Sequence, residues 1–383
     1  MNDFVDFALV GGGLQNGLIA LAIRHVRPEA RIVLIERGAA IGGNHTWCFH
    51  AGDVDDGLAP WIEPLVTTRW DGYEVAFPAH VRTLDSAYAC VTSERLAERV
   101  TAALDRPGSR VMLETAAVSV ERDRVIAKSR DGGTSEIRAQ RVIDARGPDA
   151  APQETCGFQK FVGEEIVLDR PHGLDRPMLM DATVPQLDGF RFVYVLPLGP
   201  ERLLVEDTYF SDNAYLDVAE LRVRIRNYIA ARGWSVKQYA REEVGVLPLP
   251  WSYEMAMPAW PLVGGYAGGW FHPVTGYSFP IAARLAAVIA GHEADEFLAP
   301  ALEAHARAHA RQLRFALRLN RMLFHWFAPE RRYNVLERFY RLPEPVIRRF
   351  YALTTTPMDR ARILLGRPPR GLSLRGMLGG RAS

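Results

Sequence analysis

FVDFALVGGGLQNGLIALAIRHVRPEARIVLIE, residues 4–36, contains the pattern from which the architecture follows. Residues 4–10 form a short apolar run typical of a buried strand, and residues 18–27 show helical periodicity. A second apolar run occupies residues 31–35, and the glycine-rich turn at 11–17 joins the first strand to the helix. The order strand, turn, helix, strand is a βαβ unit, which predicts an α/β domain with a parallel sheet.

The glycine turn matches the start of a dinucleotide-binding fingerprint. Gly11 and Gly13 occupy its first two glycine positions, where the backbone turns sharply and a pyrophosphate rests on a helix N-terminus. The third position is Asn16, with Gly17 one residue later, so the packing of helix against strand must be adjusted. Glu36 follows the second strand, where a carboxylate accepts hydrogen bonds from ribose hydroxyls and repels a 2′-phosphate. Ordinary loops also contain glycine runs, but this order of elements predicts bound FAD or NAD rather than NADP.

Length and composition indicate two large units and an appendage. The chain has 383 residues, of which 48% are hydrophobic and 24% charged, so it can build a sizeable core and is not a disordered chain. Alternating aromatic and aliphatic residues after residue 151 predict a domain built on a mixed or antiparallel sheet. The predicted units are a discontinuous nucleotide-binding domain at 1–150 and 255–298, a substrate domain at 151–254 and a helical segment at 299–383.

A second glycine-rich loop, at residues 264–276, precedes an apolar helix predicted at 281–290. The N-terminal NH groups of that helix can face an anion, either a pyrophosphate or a reduced flavin. The bulky neighbours Tyr266, Trp270 and Phe271 favour a buried loop over a flexible surface hairpin.

Charge is distributed unevenly along the chain. The net charge is +1, yet residues 299–383 contain 17 Arg, no Lys and 5 acidic residues. In residues 311–327 arginines alternate with bulky apolar side chains, a pattern typical of a basic amphipathic helix in the headgroup region of anionic lipid. The alternative is a helical cap whose arginines pair with the acidic body. The apolar interleaving argues against nucleic-acid binding.

Other classes of protein are excluded by simple counts. The three cysteines, Cys48, Cys90 and Cys156, are far apart and contain no CxxC pair, so neither a disulfide framework nor a thiolate zinc site is expected. No spacing of His, Asp and Glu suggests a metal. The N-terminus lacks a basic, cleavable leader, and no apolar stretch approaches the roughly 18 residues of a membrane span. We therefore expect a cytoplasmic protein that does not cross a membrane.

Seven segments, in order from the first strand nearly to the C-terminus, resemble the bacterial lycopene β-cyclases. They are GGGLQNGLIA at 11–20, GGNHTWCFH at 42–50, LMDATV at 179–184, RFVYVLPL at 191–198, LLVEDTYF at 203–210, FHPVTGYSFPIA at 271–282 and NVLERFYRLPEPVIRRFY at 334–351. The shifted glycine at position 17 is similar to what those cyclases carry. The resemblance implies a glutathione-reductase-like FAD-binding Rossmann domain with an antiparallel-sheet substrate domain and a C-terminal helical segment. Residues 37–43 also resemble the stretch that follows the acidic residue in flavoproteins with two dinucleotide-binding domains.

The activity that the resemblance implies is closure of a β-ionone ring at each end of lycopene, which gives β-carotene through γ-carotene. It implies bound FAD in its reduced form, with NAD(P)H as the electron source, although substrate and product are isomers. Reduced flavin would stabilise a carbocation by its charge or take part as an acid or base. Since a C40 hydrocarbon dissolves only in a bilayer, we expect peripheral association with anionic lipid of the inner membrane. The alternatives are an FAD-dependent monooxygenase or polyprenyl reductase acting on an isoprenoid lipid, and a non-catalytic prenyl-lipid escort protein.

Ring closure requires a proton delivered to a terminal double bond and a carbocation kept away from water. An alkene is a poor base, so the donor should be a carboxylic acid that an apolar site keeps protonated. The resemblance marks an acidic position in LLVEDTYF as essential, and this position is Glu206. Adjacent residues of a strand point to opposite faces, and periodicity does not choose between Glu206 and Asp207. We prefer Glu206 as the catalytic acid, with Asp207 as an orienting neighbour or reserve.

The glycine turns and the resemblance together give two further sets of candidate residues. The predicted flavin-contacting residues are Gly11, Gly13, Leu14, Glu36, Gly43, Asn44, His45, Gly276 and Tyr277. The predicted substrate-lining residues are Trp47, Phe192, Tyr194, Trp251, Trp270, Phe271 and His272, because aromatic faces stabilise a developing cation and cover a hydrocarbon. Most aromatic residues at such spacings belong to a core, and about half of them are expected to line the substrate tunnel.

Overall fold

The computed structural model describes residues 4–147, 155–293 and 295–373. The predicted domain boundary at residues 150 and 151 and the last part of the C-terminal segment, 374–383, lie outside these residues. The strands are β1 (Phe4–Val10), β2 (Ile32–Ile35), β3 (Thr46–His50), β4 (Thr68–Trp70), β5 (Tyr73–Phe77), β6 (His80–Leu84), β7 (Tyr88–Thr92), β8 (Arg110–Met112), β9 (Thr115–Val120), β10 (Arg124–Ser129), β11 (Thr134–Asp144), β12 (Cys156–Leu168), β13 (Met178–Asp181), β14 (Phe190–Gly199), β15 (Arg202–Ser211), β16 (Val236–Pro250) and β17 (Leu262–Val263). The helices are α1 (Leu14–Val26), α2 (Ala59–Ile62), α3 (Ser93–Leu104), α4 (Val218–Ala231), α5 (Phe279–Ala290), α6 (Asp295–Trp326), α7 (Tyr333–Phe339), α8 (Glu344–Tyr351) and α9 (Pro357–Leu364).

The first sheet has the strand order β8-β2-β1-β11-β10-β9, and β17 pairs with β11. β1 is parallel to both β2 and β11, as the βαβ pattern predicts. Helix α1 packs against α5 and α3 over this sheet. Parallel strands with covering helices bring the carboxyl ends of β1 and β2 to one edge, where ligands bind in such folds.

Helix α1 begins at Leu14, four residues before the predicted start, because only residues 11–13 form the turn. Asn16 therefore lies inside the first helical turn. Its Nδ2 donates hydrogen bonds to Val10 O at 2.9 Å and Gly11 O at 2.8 Å. A Cβ at Gly17 would lie 3.0 Å from Leu96 Cδ1, so the glycine lets α3 approach α1. The glycine at position 17 thus serves packing between two helices, whereas the sequence led us to expect an adjusted packing of helix against strand.

The second sheet has the order β16-β12-β15-β14-β13-β5-β6. The strands β16, β12, β15 and β14 are antiparallel neighbours, and α4 covers one face of them. Strands β5 and β6 come from residues 73–84, well before the rest of this sheet in sequence, and β5 pairs with β13 in parallel. The architecture is thus the α/β class predicted from the sequence, while the domain boundaries at 150, 254 and 298 stay a prediction.

Helices α6 to α9 form the C-terminal segment. α6 contacts α5 and β16, and its apolar side chains from Leu313 to Phe324 are buried against them. The arginines of the run 311–327, by contrast, are exposed. Among the described residues, no helix is both long enough and apolar enough to span a bilayer.

Candidate functional site

A cavity of about 500 Å³ is lined by loops at the edge of the first sheet, by strands of the second sheet and by strands β3 and β7 of a third, three-stranded sheet with the order β3-β7-β4. One end is formed by the glycine turn after β1, Glu36 after β2 and the loop before α5; the other end is formed by β3, β7, β14, β15 and β16. This volume lies within the range of ligand-binding cavities in proteins, about 300–1,000 Å³.

The glycine turn leaves open backbone at the first end of the cavity. Gly11 has a φ of +93°, and a Cβ there would lie 2.7 Å from Ala145 O, so no other residue fits. A Cβ at Gly13 would meet nothing within 4 Å, and this residue begins α1 without a side-chain cap. The uncapped NH groups of the first turn thus face open space, the arrangement that binds a pyrophosphate.

Glu36 lies where a nucleotide ribose is expected. Its Oε2 accepts a hydrogen bond from Gly12 N at 2.6 Å and its Oε1 accepts one from Gly38 N at 2.6 Å. These bonds fix the carboxylate at the cavity wall and leave each oxygen with a free lone pair for a hydroxyl donor.

Further polar groups in the wall have no protein partner among the described residues. Gln15 Oε1 and Gln159 Oε1 are buried, line the cavity and lack a hydrogen bond. Since a buried polar atom is normally paired, these two oxygens point to a polar ligand. Together with the glycine turn and Glu36, they fit a flavin dinucleotide.

Most of the predicted flavin-contacting residues line this cavity. They are Gly11, Gly13, Leu14, Glu36, Gly43, His45, Gly276 and Tyr277. Tyr277 is anchored by its hydroxyl, which donates to Asp53 Oδ2 at 2.6 Å and accepts from His50 N at 3.0 Å. Asn44 does not line it: its Nδ2 donates to the Glu242 carbonyl, and its Oδ1 accepts from Arg241 Nη1 at 3.0 Å. Asn44 thus ties the loop before β3 to β16.

Glu206 lies in the wall at the other end of the cavity. Its side chain comes from β15, is buried, and accepts a hydrogen bond at Oε1 from Thr208 Oγ1 at 2.5 Å. Burial, reinforced by the charge of Glu243, raises the pKa of Glu206 well above the usual value of a glutamate. This shift favours the protonated form of the carboxyl group, which is the form that can act as a general acid.

Asp207 points to the opposite face of the sheet, as strand alternation predicts for neighbouring residues. Its Oδ1 and Oδ2 accept from Arg191 Nε at 2.8 Å and Nη2 at 3.1 Å, and Tyr209 donates its hydroxyl to Oδ2 at 2.9 Å. Burial raises the pKa of Asp207, and the neighbouring guanidinium opposes that rise. This carboxyl group does not line the cavity, so its contacts are those of a buried ion pair.

Sequence reasoning did not identify Glu243, on β16, which lines the cavity beside Glu206. Its Oε2 lies 3.3 Å from Arg241 Nη1. Arg241 also donates to Thr46 Oγ1 at 2.6 Å and to Glu165 Oε2 at 2.8 Å. Glu243 stands in no recognised motif, and the only signal was its place among alternating strand residues, which does not separate it from Glu242.

The predicted substrate-lining residues divide into two groups. Trp47, Tyr194 and Trp270 line the cavity, and the Tyr194 hydroxyl lies 3.2 Å from that of Tyr88, a lining residue that the sequence did not single out. The others pack outside it: Phe192 against Phe190 and Phe210, Trp251 against Phe324 and His325, Phe271 against Tyr266, and His272 against Phe350.

His272 illustrates why an aromatic motif residue can belong to the core. It is fully buried, and its Nδ1 accepts a hydrogen bond from Val274 N at 3.2 Å. Burial lowers the pKa of His272 to about 3, so the ring is neutral in the folded protein. His272 therefore stabilises the loop that leads to Gly276 and does not line the cavity itself.

Comparison with known sequences gives matches over nearly the whole chain. The family model described as lycopene cyclase protein matches residues 6–375. A lycopene beta-cyclase of Pantoea ananas is 43% identical over 376 residues, which cover 96% of each chain. A lycopene beta-cyclase of a Paracoccus strain is 41% identical, with 95% of this chain and 94% of the relative covered.

Similar solved structures share the fold at low sequence identity. A geranylgeranyl bacteriochlorophyll reductase-like protein from Thermoplasma acidophilum has a TM-score of 0.61 at 13% identity, covering 94% of this chain and 96% of the other. A flavoprotein/dehydrogenase from Cytophaga hutchinsonii has a TM-score of 0.58 at 13% identity, covering 94% and 95%. The predicted fold class is thereby confirmed.

Proposed function

The chain belongs to the lycopene cyclase family, and on this premise we propose that it closes β-ionone rings on lycopene, giving β-carotene through γ-carotene. Substrate and product are isomers, so the enzyme is an isomerase with no net redox change. The observation that carries the proposal is the buried carboxyl group of Glu206 at the end of a cavity whose other end fits a dinucleotide.

Residues of this chain supply the acid and shield the cation. Glu206 delivers its proton to a terminal double bond of the polyene, with Thr208 holding the carboxyl group in place. The rings of Trp47 and Tyr194 line the same space and stabilise positive charge through their faces. Asp207 keeps its role in an ion pair on the other face and is not assigned to the chemistry.

The cofactor proposed for the dinucleotide end is FAD. Gly11, Gly13 and the N-terminus of α1 would hold the pyrophosphate, and Glu36 the adenosine ribose. Tyr277 and Gly276 would lie towards the flavin ring. When bound in its reduced form, with NAD(P)H as electron source, FAD supplies negative charge beside the cation or an acid/base group.

We also propose that the C-terminal segment binds the surface of the cytoplasmic membrane. Met358 and Leu364 of α9 are 62% and 50% exposed, and Leu365, which follows the helix, is 69% exposed. An apolar cavity of about 230 Å³ lies beside them, lined mainly by α6, α7 and residues 363–372. Exposed arginines accompany this surface: Arg311, Arg314, Arg318, Arg321, Arg362, Arg367 and Arg370. Exposed apolar side chains and exposed cations in one segment favour anionic lipid.

Helix α6 and the residues around α9 contribute different kinds of side chain to this surface. Most apolar side chains of residues 311–327 are buried against the protein, but Leu319, Met322 and Trp326 are half-buried and line the apolar cavity. This helix therefore contributes mainly exposed arginines to membrane binding, and the exposed apolar side chains come from α9 and Leu365. Leu364→Glu with Leu365→Glu is expected to abolish co-sedimentation with anionic vesicles. The control Val118→Glu, at a strand residue that is 67% exposed, should leave it unchanged. Equal sedimentation of both variants would contradict the membrane proposal.

The proposed reaction is tested with purified protein, reduced FAD and lycopene in liposomes under anaerobic conditions. An isomeric, ring-containing product supports cyclisation. Hydrogenated or oxygenated product would instead indicate a reductase or monooxygenase, and binding without conversion would indicate an escort protein. Glu206→Gln is expected to retain FAD and lose ring formation, whereas Glu201→Gln, in the exposed turn before β15, should stay active.

A further inference from the structure

We propose that Glu243 is the proton partner of Glu206, the two carboxyl groups sharing one proton across the gap left by Gly163. The inference rests on the proposed function, because it assigns a second residue to the same acid. It follows from the register of three neighbouring strands.

Strand register places the two carboxyl groups on one face of the sheet. Gly163, in the middle of β12, is paired with Glu206 of β15 on one side and with Glu243 of β16 on the other. Tyr194 of β14 is the next partner along the same row, opposite Glu206. Residues directly opposite in antiparallel strands present their side chains to the same face, so Glu243, Glu206 and Tyr194 all face the cavity.

Gly163 makes the contact between the carboxyl groups possible. A Cβ at this position would lie 3.1 Å from Glu243 Cγ, 3.3 Å from Leu204 Cδ1 and 3.4 Å from Glu206 Cβ. A side chain on the central strand would therefore occupy the space between the two glutamates. Because Gly163 has no side chain, the two glutamates reach each other over it. A hydrogen bond between the two carboxyl groups raises the pKa of Glu206 and lowers the pKa of Glu243.

The charged neighbours decide which carboxyl group carries the proton. Both are buried, and two buried carboxylates in contact do not ionise together. Arg241, on the strand of Glu243, lies 3.3 Å from its Oε2. Other groups that act on the pair are Thr46 from β3, Thr208 and Asp207 from β15, and the thiol of Cys48. Since the guanidinium lies beside Glu243, the negative charge resides there and the proton on Glu206.

The shared proton accounts for both proton transfers of the reaction. The O–H bond of Glu206 breaks and its proton goes to the CH carbon of a terminal double bond, whose π-electron pair forms the new C–H bond and leaves a tertiary cation on the other carbon. The π-electron pair of a second double bond of the same chain then forms the ring C–C bond and moves the positive charge into the ring. The pair carries two negative charges only while the cation is present, because the cation and Arg241 then balance them. After ring closure a ring C–H bond breaks, its electrons form the ring double bond, and the proton returns to the pair. The cycle consumes neither protons nor electrons.

The pH dependence of cyclisation by the FAD-loaded enzyme separates this role from a structural one. Glu206 must be protonated, so activity falls as the pH rises through its pKa. Glu243→Gln removes the like charge that opposes ionisation of Glu206 and leaves Arg241 without this partner. The alkaline limb should therefore move to lower pH by about one unit or more, the coupling expected for interacting carboxyl groups. At a pH above the shifted limb, the variant should have about tenfold less cyclisation activity than the wild type.

A matched control and a second measurement keep the proposal open to refutation. Glu242→Gln makes the same chemical change one residue earlier, at a side chain that pairs with Arg222, and should leave the limb in place. Infrared spectra of the protein without substrate should show a carboxylic-acid carbonyl band that is lost in Glu206→Gln and shifts in Glu243→Gln and Gly163→Ala. If Glu243→Gln changed neither the alkaline limb nor the carbonyl band, the proposed sharing of a proton would be wrong, while Glu206 would remain the proposed acid. Full activity of Glu206→Gln would instead refute the acid assignment within the proposed function.

Discussion

Glu206 and Asp207 are adjacent carboxylates with opposite environments, and their neutral variants should fail in opposite ways. Asp207→Asn keeps the shape of the side chain but removes its charge. Arg191, which is 5% exposed, then retains a buried positive charge that faces a neutral amide, with the Pro185 carbonyl as a further acceptor at 3.2 Å. Glu206→Gln, by contrast, removes a carboxyl group that burial already disfavours in its charged form.

The magnitudes follow from these contacts. Removing one partner of a buried ion pair costs about 3–5 kcal/mol of unfolding free energy, because the other charge stays uncompensated. For Asp207→Asn this corresponds to a melting temperature lower by about 4–6 °C, because the unfolding entropy of a 383-residue chain is about 0.8 kcal/mol per degree. For Glu206→Gln the sign is reversed. The pKa of Glu206 is higher in the folded than in the unfolded state, so at neutral pH the carboxyl group is ionised in the unfolded chain and must take up a proton on folding, which costs stability. The glutamine should add about 0.5–2 kcal/mol.

The assay combines thermal and urea unfolding with cyclisation of lycopene. Glu206→Gln should be inactive and at least as stable as the wild type, whereas Asp207→Asn should be less stable and active in whatever fraction is folded. The double variant Arg191→Met with Asp207→Leu should regain most of the lost stability, since apolar replacement of a buried pair is close to neutral. An Asp207→Asn protein of normal stability without activity would refute this reasoning and return Asp207 to the chemistry.

Three more predictions concern the nucleotide end and the buried histidines. Gly11→Ala should abolish FAD binding or folding, seen by flavin absorbance after purification, because the new Cβ would lie 2.7 Å from Ala145 O at a φ of +93°. Glu36→Ala should weaken FAD binding roughly 10- to 100-fold in a fluorescence titration, the effect of about 1–3 kcal/mol for a lost charged hydrogen-bond acceptor; unchanged affinity would contradict its assignment to the ribose. Burial lowers the pKa of His272 to about 3 and those of His305 and His309 to about 4, so protons bind the unfolded chain first. Stability should fall as the pH drops from about 6.5 towards 4, by roughly 1.4 kcal/mol per pH unit for each histidine, and a flat urea midpoint over this range would oppose that account.

Local patterns carried the parts of the fold that could be predicted from the sequence. The βαβ unit, the glycine turn and Glu36 all lie within 33 residues. Over so short a stretch, the spacing in the sequence determines which residues come into contact. Strand alternation likewise predicted that Glu206 and Asp207 would face opposite sides. These inferences needed no knowledge of long-range pairing.

Contacts between distant strands could not be predicted in this way. Glu243 meets Glu206 only because β16 and β15 both pair with β12, and the register of those pairs is set by packing across the whole sheet. Strands β5 and β6, at residues 73–84, join the second sheet for the same reason. The run 311–327 shows the converse, since its amphipathic pattern predicts a buried face but not whether protein or lipid covers it.

The division of labour between the two ends of the cavity explains how one fold can serve a reaction without net redox change. The overall fold is shared with the reductase-like protein and the flavoprotein. The glycine turn, Glu36 and the start of α1 form the end of the cavity that we propose for the nucleotide. What the fold leaves undetermined is the far wall, where β14, β15 and β16 present side chains to the same space. Here that wall places the carboxyl group of Glu206 among aromatic rings. The side chain of Glu243 pairs with the guanidinium of Arg241. An acid in that position favours protonation of an alkene, so the chemistry is determined by a few cross-strand neighbours rather than by the fold.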